Sequence, residues 1–65
     1  MMHGEHGPRL RREREDAGVT LIALAAELGV ARTTVWRYEG AAYVKANKTE
    51  QYRRALEAIK ARATG

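Results

Sequence analysis

The chain has 65 residues, no cysteine, and twelve Lys and Arg against eight Asp and Glu, for a net charge of +4. A length in this range holds one small domain that buries only about 60% of its unfolded surface, and without thiols neither disulfides nor thiolate zinc can reinforce it. No apolar run approaches the roughly 18 residues of a membrane span, and "MMHGEHGPRL" has no apolar core for a signal peptide, so a soluble, cytoplasmic protein is expected.

Residues 1–7, "MMHGEHG", hold two glycines and no periodicity, which predicts a flexible N-terminal tail preceding a domain over 8–63. His3 and His6 stand three apart without a third ligand, so they are read as solvated and no metal or other cofactor is expected. Pro8 suits the first turn of a helix, "RLRREREDAG", in which Leu10, Arg14 and Ala17 share a face and Gly18 is the stop. Thr20 is placed to cap a second helix, "LIALAAEL", with Leu21, Leu24, Ala25 and Leu28 at helical spacing and Gly29 at its end.

Only Val30 and Ala31 separate this helix from a third, "RTTVWRYE", which Gly40 closes. A loop, "AAYVKA", then leads to Asn47 and Glu50, spaced as a capping box for a last helix whose inner face is Tyr52, Ala55, Leu56, Ile59 and Ala63. The fold class is therefore all-α, a small four-helix domain.

Acidic and basic residues balance up to Gly40. The excess follows it, where Lys45, Lys48, Arg53, Arg54, Lys60 and Arg62 face only Glu50 and Glu57. That tilt suits a polyanion such as nucleic acid, and a solvated helix face is its plain alternative.

Two short helices joined by a Gly-containing turn, the second rich in Arg and Thr, make a helix-turn-helix pattern. Val30, Val35 and Tyr38 are expected to plug into the core while the opposite side protrudes. Arg14, Gly18 and Thr20, then Leu24, Ala25, Leu28, Gly29 and Val30, then Tyr38 and Glu39 resemble the Cro and repressor class of phage and bacterial transcription regulators. The resemblance spans about residues 8–60 and is weakest in the last helix. It implies a lambda-repressor-like fold and sequence-specific binding to double-stranded DNA, with helix 32–39 in the major groove of an operator.

Carried over by position, the resemblance makes Arg14 and Glu39 a structural ion pair between the first helix and the end of the recognition helix. It assigns base reading to Arg32, Thr33, Trp36 and Arg37, with either Arg suited to guanine O6 and N7. Trp36 is open between a wall of the groove and a fold back over neighbouring stems. Thr34, turned toward the supporting backbone or solvent, and Lys45 and Lys48 are assigned to phosphate contacts, with a solvated charge as the plain alternative for each Lys. Arg9, Arg11 and Arg12 are weaker phosphate candidates.

The chain departs from the family's pattern in two places. Leu21, Ile22 and Ala23 follow Thr20 where polar residues are usual, and Ala31 stands where the recognition helix usually has a Ser or Thr cap. A two-fold operator calls for a weak homodimer completed on DNA, with the last helix as its expected surface, through Tyr52, Leu56 and Ile59 where the core does not use them all. The competing readings are an excisionase-like architectural protein, for which "AAYVKANK" lacks strand alternation, and a protein-interaction module using Leu21, Ile22 and Trp36. An enzyme is not expected, for want of a nucleophile set or phosphate-cradling loop.

Overall fold

Helix boundaries in this chain are set by its turns. A computed structural model describes residues 3–64 and contains α1 (Gly7–Asp16), α2 (Leu21–Leu28), α3 (Arg32–Gly40) and α4 (Ala46–Thr64). Pro8 occupies the first turn of α1, where its missing N–H leaves no bond unmade. Gly18 and Gly29 both take positive φ, 70° and 71°. At Gly29 this lets the chain reverse while Gly29 N donates to Ala26 O and Val30 N to Ala25 O, closing the carbonyls that α2 leaves open.

The start of α2 is closed as well, by Thr20 Oγ1 accepting from Ala23 N at 3.1 Å. Both ends of this eight-residue helix are therefore capped locally. Such a short helix still depends on tertiary packing, which here comes from α3 and α4.

Leu10, Val19, Leu24, Ala25, Val35, Val44, Tyr52, Ala55 and Leu56 form the core, and Ala17, Leu21, Leu28, Tyr38, Ala41 and Ile59 pack around it. Fully burying a residue such as Leu24 contributes about 1.5–3 kcal/mol, so each of these few positions carries a sizeable share of a small domain's stability. Val19 and Val44 lie in connections, where no helical period points to them. Val30, expected in the core, is 39% exposed: its backbone caps α2 as the chain turns outward. Ala63, expected on the inner face of α4, is exposed with the rest of residues 60–64, where the helix runs past the body it packs on.

Two further expectations are corrected. The Asn47–Glu50 capping box does not form, because α4 begins at Ala46 and Asn47 already lies in its first turn. Asn47 Oδ1 instead accepts from Lys48 N at 2.9 Å, and Glu50 pairs with Arg54. The segment just before α4 is held by Thr49, whose Oγ1 donates to Val44 O at 3.1 Å.

The other correction concerns the N-terminal segment, whose described part, from His3, is not a free tail. Glu5 N donates to Val44 O at 3.0 Å and Val44 N to Glu5 O at 2.8 Å, an isolated antiparallel bridge; no named strand occurs among the described residues. Gly7 N donates to Ala41 O at 3.0 Å. The contact is so close that a Cβ on Gly7 would lie 2.3 Å from Tyr38 O, which only glycine avoids. The loop after α3 offers backbone groups that no helix uses, and residues 5–7 take them up.

Candidate nucleic-acid interface

The residues of α3 divide by helical period into a held face and a free one. Val35 and Glu39 are buried, Thr34 and Tyr38 half-buried, and Arg32, Thr33, Trp36 and Arg37 exposed. At about 100° per residue the four exposed side chains fall within an arc of roughly 140°, with Trp36 between Arg32 and Arg37. The structure thus brings the four residues assigned to base reading onto one surface.

Glu39 holds the other face. Its carboxylate receives Arg14 Nε at 2.7 Å and Nη2 at 3.0 Å, a bidentate pair, and Arg14 Nη1 also donates to Val19 O at 3.0 Å. The Tyr52 hydroxyl donates to Glu39 Oε2 at 2.5 Å and lies 3.1 Å from Leu10 O. Glu39 raises the pKa of Arg14, and burial pushes that of the Tyr52 hydroxyl upward, so both remain donors. One carboxylate therefore joins α1, α3 and α4, and no buried side-chain polar atom among the described residues lacks a partner. Sequence reasoning missed Tyr52 as the third member of this knot, although a Tyr on the inner face of a helix needs a partner for its hydroxyl.

Trp36 is 68% exposed and so is not folded into the body. It forms a wall of an open cleft with Arg11, Leu21 and Gly40, whose floor is the Arg14–Glu39 pair. Ile22 is also exposed, at 62%, at the start of α2. Thr34 N is taken by Ala31 O, and the Ala31 side chain supplies no cap.

Ion pairing relocates the charge that the sequence places after Gly40. Arg53 binds Glu13 at 2.7 Å and Glu5 at 3.1 Å, and Arg9 lies 3.8 Å from the same two carboxylates. Arg11 pairs with Glu15, Arg14 with Glu39, Arg54 with Glu50, Lys60 with Glu57 and Arg62 with Glu27. Seven cations thereby answer seven carboxylates, out of twelve and eight. Left without a partner among the described residues are Arg12, Arg32, Arg37, Lys45 and Lys48 against Asp16, which together make the formal net charge of +4. Four of these five cations lie on α3 and where the following loop enters α4. Of the paired cations of α4, Arg53 and Arg62 neutralise acids elsewhere in the molecule, and Arg54 and Lys60 neutralise the helix's own Glu50 and Glu57.

His6 Nδ1 lies 2.9 Å from Ala42 O, so this histidine helps to dock the N-terminal segment instead of standing free in solvent. Among the described residues no three His, Cys, Asp or Glu side chains gather as a metal site, and no helix is long and apolar enough to cross a membrane. The dimer surface expected on α4 is not available. Tyr52 and Leu56 are core residues and Ile59 packs against them, because α4 uses its apolar face to cover α1 and α2.

Comparison with curated proteins and with solved structures finds no match. The family model described as "Helix-turn-helix domain" matches residues 5–64, which takes in the Glu5 bridge, all of α2, α3 and the turn between them, and α4. A match over nearly the whole chain, on a fold whose second short helix presents an uncompensated basic face, shows that this chain belongs to the helix-turn-helix domain family of DNA-binding folds.

Proposed function

We propose that the protein is a sequence-specific transcription regulator of the Cro and repressor kind, which occupies an operator by laying α3 in the major groove of double-stranded DNA. The observation that carries this reading is the free face of α3, where Arg32 and Arg37 have no carboxylate partner among the described residues while the opposite face is fixed by Val35 and Glu39. A held helix with unpaired donors on its outer side is suited to base edges. Thr34, Lys45 and Lys48 contact the phosphates that position it, a sequence-independent term that makes affinity fall with salt. The domain, with principal extents of 32 × 27 × 20 Å, is of a size for one half-site, and paired copies about 34 Å apart would cover a two-fold operator. The role is binding, without catalysis or a cofactor.

Selection of bound duplexes from a random pool, followed by titration across a salt series, tests this. An enriched motif and a steep salt slope are expected, the slope falling by about one for each of Lys45→Ala and Lys48→Ala while the preferred motif stays the same. A protein-interaction module is the second reading, favoured by the exposure of Ile22 beside the half-buried Leu21. It predicts no enriched motif and little salt dependence.

A further inference from the structure

The free face of α3 is one-sided in hydrogen-bonding chemistry. Arg32 and Arg37 only donate, the Trp36 indole N–H only donates, and Thr33 alone among the four can also accept. The face carries no Asn, Gln or free carboxylate. The single acid of α3, Glu39, is buried and taken up by Arg14 and Tyr52.

In the major groove guanine presents two acceptors, adenine an acceptor and a donor, cytosine a donor, and thymine an acceptor beside its C5 methyl. A face of donors matches guanine fully. It cannot satisfy the amino group of adenine or cytosine except through Thr33. Trp36 adds a different demand, because a 68% exposed indole between two cations gains most by covering an apolar group. The apolar groups in that groove are the C5 methyls of thymine and of 5-methylcytosine.

Spacing sharpens the match. Arg32 and Arg37 are five residues apart, about 7.5 Å along a helix at roughly 1.5 Å per residue. Base pairs stack about 3.4 Å apart, so along the helix axis the backbone positions of the two arginines are separated by about two base steps.

We infer that α3 reads guanines about two base steps apart, on either strand, through Arg32 and Arg37, and a pyrimidine C5 methyl between them through Trp36. The inference rests on the DNA-binding reading above and names the duplex that such a site takes. It makes C5 methylation of the intervening pyrimidine a determinant of affinity.

The test uses the full chain and the best duplex from the random-pool selection, measured by fluorescence anisotropy. Deoxyuridine replaces each thymine in turn, 5-methylcytosine each cytosine, and 7-deazaguanine each guanine. Removing the methyl under Trp36 should weaken binding about three- to fourfold, and adding one to a cytosine at that position should strengthen it by a similar factor. Loss of the guanine N7 acceptor under either Arg should weaken binding about tenfold. Trp36→Ala should abolish both methyl effects and leave the 7-deazaguanine effect intact, with an unchanged circular dichroism spectrum because the side chain is exposed.

Deoxyuridine and 5-methylcytosine arms that both leave affinity unchanged overturn the inference, as does an enriched motif without paired guanines. Methyl effects that persist in Trp36→Ala overturn the role of Trp36. A chain that binds no duplex of any sequence overturns the proposed function, and this inference with it.

Discussion

The body of the molecule and the outer face of α3 handle polar groups in opposite ways. In α1, α2 and α4 most demands are met inside the fold, Arg12, Asp16 and Lys48 apart: Thr20 caps α2, Glu39 gathers Arg14 and Tyr52, and Arg53 is bound by Glu5 and Glu13. On α3 the side chains of Arg32 and Arg37 find no carboxylate among the described residues, and Ala31 leaves the first turn without a side-chain cap. A domain this small has little stability to spare. Its unmet groups are concentrated where an external polyanion can meet them, and the rest of the charge is neutralised at home.

The largest test of this contrast is to break a met demand. Glu39→Ala would leave Arg14 buried without its partner and orphan the Tyr52 hydroxyl, at a cost of about 3–5 kcal/mol. Urea denaturation followed by circular dichroism should show the variant mostly unfolded or close to it at 25 °C. A midpoint near that of the unaltered chain would mean that the knot does not hold α3.

Breaking the unmet side should do the reverse. Arg32→Ala and Arg37→Ala are expected to change stability by no more than about 0.5 kcal/mol, while each lowers discrimination at one base position by about 1–3 kcal/mol. Uniform weakening across all sequences would instead assign that Arg to phosphate.

A smaller effect follows from supplying what α3 lacks. Ala31→Ser places a hydroxyl at the extended position before the helix, where φ is −68° and ψ 147°, the geometry of a capping residue. A gain of about 1 kcal/mol, or roughly 4–8 °C in melting temperature, is expected. An unchanged melting temperature would show that the first turn of α3 is already satisfied.

The smallest effect is set by pH. The His6 backbone N–H and the Arg53 side chain hold the Glu5 carboxyl below its ordinary value of 4.5, and Arg62 does the same for Glu27. A depressed pKa in the folded state means that the unfolded chain takes up protons first as pH falls. Stability from these pairs is therefore complete above about pH 4.5 and is lost as pH drops through the lower folded values. Urea midpoints should decline modestly between about pH 6 and pH 3.5, and a rise on acidification would contradict these pairings.

The parts of the fold that sequence made legible are those governed by local rules. Pro8, Gly18, Thr20 and Gly29 mark helix ends through the backbone geometry each residue favours, and Val35 and Tyr52 follow from helical period. Val19 and Val44 were not legible because connections have no period, and their burial depends on how helices meet. The bridge from Glu5 to Val44 was hidden for the same reason: a Gly-rich start looks flexible until the loop that receives it is in place. Base-reading candidates could be placed on one helix from sequence, yet the charge pattern was misread. Net charge counts residues, whereas the field outside the protein depends on which cations already have partners, and that is decided by tertiary contacts such as Arg53 with Glu5 and Arg62 with Glu27.

The Glu5–Val44 bridge also orders events in time. Its partners are 39 residues apart in the chain, whereas α2 and α3 meet across a turn of three residues, so loop closure favours the helix pair before the bridge. A terminal segment held mainly by a few hydrogen bonds, with little buried apolar surface, opens from the native state more readily than the core. The amides of Glu5 and Val44 should then exchange with solvent long before those of α2 beside Leu24, and the loop leading to Lys45 and Lys48 would loosen while α3 is still clamped.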